Sequence, residues 1–281
     1  MPHVIPWSEL PNLDEVAPLY GRTPAALADR AAGFPVDVSG HALVGERGVE
    51  AAAIRVLDAG ACVLAQLARA PGLPPEQALP LVEQGERWTR AHGAERLRVS
   101  LWGTPDLGPL LAARGYVLTE RFLRLLLPGP AMAPGSLPAG VRPSALRDVG
   151  VERFLAMSNA AFATVPGALP LTVDDWNLLA ASPGYRQDLL CVLVDERGPL
   201  AFVRSELEGS TGSIDALAVD PRGRSLGLGR WLLRWSAQAL LAVSCEAVDL
   251  WVAESNTPAL RLYESEGFRL DKVRESWERA L

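Results

Sequence analysis

Short apolar strands and amphipathic helices alternate along the second half of the chain, which is typical of a mixed α/β domain. Runs of alternating polarity predict strands, and apolar residues three or four positions apart predict helices. The predicted strands cover residues 141–143, 189–194, 200–206, 213–219 and 247–252, and the predicted helices cover residues 146–162, 173–181, 229–243 and 257–266. A closing pair of strands is predicted after the last helix, and Pro183-Gly184 and Arg197-Gly198 are predicted turns.

A glycine-rich segment joins the strand that ends at Val219 to the helix that follows it. Residues 219–229 read V-D-P-R-G-R-S-L-G-L-G, and a strand, a glycine-rich turn and a helix in this order aim several backbone N–H groups at one point. Because the positive end of the helix dipole adds to them, the segment predicts a phosphate site. It lacks the Lys-Ser/Thr ending of a P-loop and the G-x-G-x-x-G of dinucleotide-binding folds, which disfavours nucleotide triphosphate hydrolysis and dinucleotide binding.

A second motif follows the next predicted strand. Residues 254–268 read E-S-N-T-P-A-L-R-L-Y-E-S-E-G-F. Thr257 and the proline after it suit the start of a helix, and Gly267 suits its end. Asn256 and Tyr263 are seven positions apart, so they lie near one face of that helix. The alternative is an ordinary amphipathic helix with Tyr263 packed at the edge of the core.

Together, R-x-x-G-x-G at residues 224–229 and N-x-x-A-x-x-x-Y-x-x-x-G-F at residues 256–268 resemble the acetyl-CoA-binding elements of the GNAT N-acetyltransferase superfamily. The resemblance implies an acetyl-CoA-dependent N-acetyltransferase that acetylates a primary amine of a small molecule or peptide by direct attack on the thioester. A non-catalytic acyl-CoA-binding or sensing protein is the main alternative. Tyr263 weighs against it, because binding alone does not require a phenol.

The resemblance also implies which residues hold acetyl-CoA. Backbone N–H groups of the loop would bind the pyrophosphate, and the strand before the loop would pair with the amides of the pantetheine arm. A solvated helix face is the alternative for Arg230 and Arg234. The predicted cofactor-binding residues are Leu217, Ala218, Val219, Arg224, Ser225, Leu226, Gly227, Leu228, Gly229, Arg230 and Asn256, and no metal site is predicted.

Acetyl transfer to an amine needs a donor for the oxyanion, a proton for the departing thiolate and a neutral amine. By the resemblance, Tyr263 protonates the thiolate, and a backbone N–H near Leu217 or Ala218 serves the oxyanion. Asp215 is the predicted base, acting directly or through water, because it has the same parity as Leu217 and is expected to face the same side of the sheet. A substrate-orienting anion or a solvated residue is the alternative for Asp215. The other carboxylates near the loop in sequence are Glu206 and Glu254.

The first half of the chain repeats this order of elements. V-S-L-W at residues 99–102 matches V-D-L-W at residues 248–251, and each is followed by Thr-Pro, an apolar-periodic helix and a glycine-aromatic pair. We interpret the pattern as a tandem duplication. It is similar to tandem GNAT proteins such as mycothiol synthase, a likeness of layout that does not fix the acceptor.

The first copy is predicted to be degenerate. Where the second copy has its loop, Pro74 and Pro75 supply no N–H donors, and Leu111 stands at the position equivalent to Tyr263. Its predicted roles are therefore structural, such as covering the sheet, shaping the substrate cleft or supporting an interface.

A proline- and glycine-rich stretch separates the two halves. Proline and glycine supply seven of the thirteen residues at 128–140, so no regular element is expected there and the stretch is predicted to be a linker. Residues 1–130 are predicted to form the degenerate domain without a cofactor loop, and residues 141–281 the acetyl-CoA-binding domain. The predicted fold class is α/β (α+β), with two tandem GNAT-like domains, each a mixed, mostly antiparallel sheet flanked by helices.

Composition limits the partners. The formal net charge of −6 disfavours nucleic-acid binding, and no apolar run is long enough to predict a membrane span. The three cysteines lie far apart, which suits neither a disulfide framework nor a zinc site, and the N-terminal stretch does not resemble a signal peptide. A cytoplasmic location is therefore predicted. The acceptor amine, the acyl-chain length and the oligomeric state stay open.

Overall fold

The computed structural model describes residues 3–11, 14–20, 38–46, 48–58, 62–102, 105–163, 170–181, 185–208 and 210–281. The predicted turn at Pro183-Gly184 and the Gly103-Thr104 step that follows V-S-L-W lie outside the described residues. Within the described ranges, no helix combines the length and the apolar character that crossing a membrane requires.

Twelve strands and seven α-helices occur in the described part of the chain. The strands are β1 His3–Pro6, β2 Val38–Gly45, β3 Gly48–Asp58, β4 Cys62–Arg69, β5 Arg96–Trp102, β6 Val117–Leu127, β7 Arg142–Ser144, β8 Leu190–Asp195, β9 Gly198–Glu208, β10 Thr211–Val219, β11 Ala247–Ala253 and β12 Arg269–Ala280. The helices are α1 Leu79–Ala91, α2 Gly108–Ala113, α3 Leu146–Val149, α4 Val151–Phe162, α5 Val173–Ala180, α6 Leu228–Ala242 and α7 Thr257–Ser265.

The chain forms two compact units. The first comprises Met1–Arg124, Val252–Asn256 and Asp271–Leu281, and the second comprises Leu125–Trp251 and Thr257–Leu270. The domain limits expected from the sequence, 1–130 and 141–281, stay a prediction.

The first unit is built on a sheet with the strand order β1-β2-β3-β4-β5-β12-β6. Strands β4 and β5 run parallel, whereas the pairs β1–β2, β2–β3, β3–β4 and β5–β12 are antiparallel. Strand β12 pairs with β5 from Arg274 opposite Trp102 to Ala280 opposite Arg96. Leucines of β5 and of α1 and α2 meet in one buried core, so the helices cover this sheet.

The second unit has the strand order β11-β10-β9-β8-β7, in which β10 and β11 form the parallel pair. On one face, the ring of Phe154 in α4 lies 4.9 Å from that of Phe202 in β9 and 5.0 Å from that of Trp176 in α5, between ring centroids. On the other face, the hydroxyl of Ser205 in β9 bonds to that of Ser236 in α6 at 2.5 Å. Because side chains alternate along a strand, Phe202 and Ser205 show that helices cover both faces.

Mixed, mostly antiparallel sheets flanked by helices confirm the predicted fold class. The order β4-α1-β5-α2-β6 in the first half recurs as β10-α6-β11-α7-β12 in the second half. Each series begins with a parallel pair of strands joined through a helix. The duplication inferred from short motifs is therefore also a duplication of supersecondary structure.

Two predicted elements differ from the structure. The helix predicted over residues 146–162 is broken at Gly150, whose φ of 85° separates α3 from α4, because a left-handed residue cannot continue a right-handed helix. The prediction of a closing pair of strands was wrong, because one long strand, β12, occupies this part of the chain. No glycine, proline or asparagine interrupts that strand, so it carries no signal for a hairpin turn.

Gly212 of β10 lies against α6, and this contact predicts a loss of stability on substitution. A Cβ at Gly212 would lie 2.8 Å from Cδ2 of Leu240 and 3.0 Å from Sγ of Cys245, so the core would have to shift to admit it. We expect Gly212→Ala to lower the free energy of unfolding by about 1–3 kcal/mol, measured by urea denaturation followed by circular dichroism. Gly129→Ala is the matched control, because no described atom lies within 4 Å of its Cβ position. Equal losses in the two variants would contradict the packing explanation.

Candidate functional site

A short 3₁₀ turn, Pro221–Gly223, connects β10 to the glycine-rich loop. Asp220 caps the turn, because its carboxylate accepts a hydrogen bond from the N–H of Arg222 at 2.9 Å. Gly223 is buried and leaves no space for a side chain, since a Cβ there would lie 2.8 Å from Cδ2 of Leu200. The V-D-P-R-G part of the motif therefore seats the start of the loop on the core.

The loop then contains two residues with left-handed backbone. Ser225 and Gly227 have positive φ angles of 63° and 77°, and left-handed residues in a turn direct neighbouring N–H groups toward a common concave side. Gly227 is the N-cap of α6 and makes no side-chain hydrogen bond, so the N–H groups of the first helical turn lack a capping partner. No described atom lies within 4 Å of the Cβ position of Gly227. This open, positively polarised side suits an anion.

Gly229 brings the start of α6 close to both β10 and α7. A Cβ at this position would lie 3.5 Å from Cδ2 of Leu262 in α7 and 3.6 Å from Cγ2 of Val219 in β10. Tyr263, the predicted acid, follows Leu262 directly. The loop, the end of β10 and the helix that carries Tyr263 are therefore close neighbours.

Arg230 and Arg234 of α6 share one carboxylate next to α7. Nε of Arg230 donates to Oε1 of Glu266 at 2.7 Å, and Nε of Arg234 donates to Oε2 at 2.6 Å. The Glu266 side chain is 5% exposed, whereas half of the Arg230 side chain is exposed. The alternative interpretation of Arg234 as part of a solvated helix face does not account for its ion pair with the buried Glu266. Two guanidinium groups and one carboxylate leave one formal positive charge beside the loop.

Strand β10 separates from β11 part of the way along its length. The parallel pairing with β11 covers residues 211–214, whereas the antiparallel pairing with β9 continues to Val219. A bulge lies between Ile214 and Ala216. Residues 215–219 therefore have an edge without a strand partner among the described residues, where an extended ligand can bond to the backbone. The predicted cofactor-binding residues on this edge are Leu217, Ala218 and Val219.

The bulge also reverses the side chain of Asp215, so its predicted orientation was wrong. Two residues of β10 oppose one residue of β9 there, which shifts the alternation of side chains by one position. Oδ2 of Asp215 accepts hydrogen bonds from Nε of Arg204, at 3.0 Å, and from its Nη2. Because the neighbouring Ser205 bonds to α6, Arg204 and Asp215 lie on the opposite face, whereas Leu217 lies near Gly229 on the α6 face.

Tyr263 is buried within α7. The residue is 8% exposed, and its ring centroid lies 6.1 Å from that of Phe268. Burial raises the pKa of Tyr263 to about 12, because a tyrosinate at this position would lose its hydration. A phenol is protonated at neutral pH even at its ordinary pKa of about 10, and burial favours that state further, so Tyr263 can donate a proton.

Leu228 is buried, and the other predicted residues not yet placed are exposed. Arg224 and Asn256 both face solvent, and Asn256 belongs to the segment Val252–Asn256 of the first unit. In the same unit, the carboxylate of Glu254 lies 3.6 Å from the guanidinium of Arg121. The binding and catalytic roles expected for these residues stay predictions.

One wall of the site was not predicted. Residues 133–138, expected to be linker, lie along α6, where Nε1 of Trp231 donates to the carbonyl of Gly135 at 2.7 Å and Nη1 of Arg234 donates to the carbonyl of Ala133 at 3.4 Å. A cavity of about 160 Å³ lies between this segment and the loop. The sequence offered one signal for this wall, namely Trp231 near the start of α6. A tryptophan at such a position is explained equally well by core packing.

Known proteins resemble this chain in sequence. Residues 163–268 match the acetyltransferase (GNAT) family. A mycothiol acetyltransferase from Kineococcus radiotolerans is 31% identical, over 67% of this chain and 67% of that protein. Another from Propionibacterium freudenreichii subsp. shermanii is 30% identical, over 68% of this chain and 65% of that protein. In the second case the match spans slightly less than two thirds of the relative's own length.

Solved structures resemble the chain in fold. A GCN5-related N-acetyltransferase from Sphaerobacter thermophilus has a TM-score of 0.76 at 19% identity and covers 99% of this chain and 95% of its own. A tandem GNAT protein from the clavulanic acid biosynthesis pathway has a TM-score of 0.76 at 13% identity, and the match covers 100% of this chain and 98% of that protein. At these identities the likeness concerns the fold, and it supports the tandem arrangement.

The shared carboxylate of Glu266 predicts how the start of α6 is held. We expect Glu266→Gln to lower the free energy of unfolding by about 1–3 kcal/mol, because two guanidinium groups lose their charged partner. Urea denaturation measures the change. Glu264→Gln, at an exposed position two residues earlier, is the control and should alter the free energy by less than about 0.5 kcal/mol. A Glu266 variant as stable as this control would show that the ion pairs do not hold the junction.

Proposed function

Because the chain belongs to the GNAT acetyltransferase family and has its tandem form, we propose that it is an acetyl-CoA-dependent N-acetyltransferase. The acceptor would be a primary amine of a small molecule or peptide, which attacks the thioester directly. The observation that carries the proposal is the open cradle of N–H groups at Gly227, beside the edge of β10 that has no strand partner in the described part of the chain and next to the helix that carries Tyr263. The free cysteines Cys191 and Cys245 support a cytoplasmic setting.

The residues present fit acetyl-CoA, which supplies an acetyl group activated as a thioester. The concave side of the loop at Gly227 and the dipole of α6 suit a pyrophosphate, and Arg224 stands beside them. Alternate residues of the 215–219 edge turn their N–H and C=O groups outward and would pair with the pantetheine amides. An N–H from Leu217 or Ala218 would donate to the carbonyl oxygen as negative charge develops on it.

Tyr263 is the proposed acid. Its phenol is protonated at neutral pH, and its helix packs against the loop through Leu262 and Gly229. The phenol would donate a hydrogen bond and then its proton to the departing thiolate. A merely structural tyrosine at this position would not affect the chemical step.

Asp215 is the proposed base. Arg204 bonds to Oδ2 alone, so Oδ1 can accept a hydrogen bond or a proton from the amine through a water molecule. The ion pair holds the carboxylate in one position, which equally suits a role in orienting an ammonium group. The name of the relatives, mycothiol acetyltransferase, supports a small-molecule amine rather than a peptide as acceptor.

Mixing the purified protein with acetyl-CoA and a panel of small-molecule and peptide amines tests this function. A thiol reagent follows the release of CoA, and mass spectrometry identifies the acetylated product. We expect release with particular small-molecule amines and an amide product in each case. Binding of acetyl-CoA by calorimetry with no turnover on any amine would favour the acyl-CoA-sensing alternative.

The cradle at Gly227 predicts the effect of replacing that glycine. Proline cannot adopt its positive φ, so we expect Gly227→Pro to weaken CoA binding at least about 50-fold, measured by calorimetry. Gly150→Pro is the matched control, because Gly150 is also a helix N-cap with a positive φ and open space around its Cβ position. It should disturb the backbone at least as much, because proline also removes the hydrogen bond from the N–H of Gly150 to the carbonyl of Leu146 at 2.9 Å, and it should leave CoA affinity unchanged. Unchanged affinity in the Gly227 variant would contradict the cofactor assignment.

The phenol of Tyr263 predicts a defect in turnover without a defect in binding. We expect Tyr263→Phe to lower kcat about 10- to 100-fold while the Kd for CoA stays within about twofold, because the variant loses a proton donor and keeps the ring. Tyr116→Phe is the control, since Tyr116 is a buried tyrosine of the first unit whose phenol bonds to Glu86 at 2.9 Å. Equal kcat in wild type and Tyr263→Phe would remove Tyr263 as the acid.

A further inference from the structure

We propose that residues 133–138 form part of the cofactor site and hold the adenosine end of CoA against α6. This segment, hereafter the strap, lies outside both copies of the repeated β-α-β-α-β order. The inference rests on the proposed function, and it adds a subsite and residues that discriminate the nucleotide half of the cofactor.

The strap is fastened to α6 by its backbone. Nε1 of Trp231 donates to the carbonyl of Gly135 at 2.7 Å, and Nη1 of Arg234 donates to the carbonyl of Ala133 at 3.4 Å. Pro134 and Pro138 lie in the same segment, and each fixes a φ angle and limits the conformations open to the chain. A segment without helix or strand is thus held in one course beside the loop.

A cavity of about 160 Å³ lies between the strap and the start of α6. Sites that enclose a whole drug-sized ligand have about 300–1,000 Å³, so this cavity matches one end of a larger molecule. The strap lines one side of it, and the residues of α6 that line it include Leu228, Arg230, Trp231 and Arg234.

The position of the cavity identifies which end of the cofactor it would receive. Gly227 and Leu228 belong both to the phosphate cradle and to the cavity wall. Gly229, in contrast, touches Val219 at the end of β10, where the pantetheine arm is proposed to lie. A diphosphate bound at the loop would therefore have its pantetheine arm on the β10 side and its nucleoside on the strap side.

The chemistry of the lining suits an adenosine that carries a phosphate. Trp231 offers a half-buried aromatic ring for stacking on a base. Arg230 and Arg234 share the single carboxylate of Glu266, so one formal positive charge is left for a phosphate on the ribose. Half of the Arg230 side chain is exposed, so its guanidinium can contact that phosphate without any rearrangement of the core.

Three probes that differ in the nucleotide half test the assignment of Trp231. Calorimetry compares CoA, dephospho-CoA and 4′-phosphopantetheine, which lacks adenosine. We expect Trp231→Ala to weaken both adenosine-containing probes about tenfold and to leave 4′-phosphopantetheine unchanged, as loss of one stacking contact requires. Trp231→Phe should retain most of the affinity. Trp235→Ala, one turn further along α6 and outside the cavity lining, is the matched control and should change none of the three affinities.

The same probes test Arg230. We expect Arg230→Gln to weaken CoA about tenfold and dephospho-CoA hardly at all, because only CoA carries the ribose phosphate. Arg147→Gln, at a surface arginine of α3 with its side chain 82% exposed, is the control. Equal losses for CoA and dephospho-CoA would overturn the assignment of Arg230 to that phosphate.

Hydrogen exchange of the wild-type protein tests the strap without any substitution. We expect CoA to slow exchange of the amides of Ala133, Gly135, Ser136 and Leu137, and 4′-phosphopantetheine to leave it unchanged. If the wild type binds CoA but CoA gives the strap no protection beyond that of 4′-phosphopantetheine, this inference fails while the proposed function stands. If the wild type binds none of the three probes, the proposed function fails as well.

Discussion

The N–H groups at the start of α6 have no partner within their own helix, and much of the second unit is arranged around them. Such groups cost free energy unless water, a side chain or a ligand satisfies them. Gly227 brings no capping side chain, and Ser225 is held in the left-handed region at a cost of about 1 kcal/mol. Tertiary contacts must maintain this conformation, and they come from Gly223 on the core and Gly229 against α7. The packing of the unit thus keeps a helix start open that local preferences would close.

The bulge in β10 is the second constraint, and it has two consequences. It ends the pairing with β11 after residue 214 and leaves the following edge without a strand partner within the described ranges. It also turns Asp215 away from the α6 face, where Arg204 holds its carboxylate. A regular strand would have placed Asp215 beside Leu217 and would have continued the ladder. The free edge and the placement of the proposed base therefore have one structural cause.

Features that depend on residue type at a fixed spacing could be predicted from the sequence. The loop glycines, the strand before them and the helix after them follow from backbone freedom and periodicity, whereas the role of Tyr263 is implied by the family resemblance and stays a prediction. The errors lie where the backbone departs from the regular repeat of a strand or a helix. The bulge moved Asp215, and a left-handed Gly150 divided a helix.

Other features had no local signal at all. Strand β12 pairs with β5, far earlier in the chain, and alternation along β12 does not encode which strand it joins. The strap at residues 133–138 reads as a linker by composition, because it binds α6 through carbonyl groups that every residue carries. Positions fixed by backbone atoms leave no trace in a side-chain pattern, which is why the fold class was predictable and this wall of the site was not.

The two copies differ in how they treat the backbone N–H groups at the start of the equivalent helix, α1 in the first copy and α6 in the second. In the first unit, α1 follows the turn Pro75–Ala78, and its N-cap, Ala78, is fully buried with a right-handed φ of −85°. Proline at position 80 removes a further donor from the first turn, so few N–H groups are left to be satisfied. Leu111, equivalent to Tyr263, is completely buried and offers no proton. The first copy therefore uses its helix start for packing, whereas the exposed Gly227 keeps that of the second copy available to a ligand.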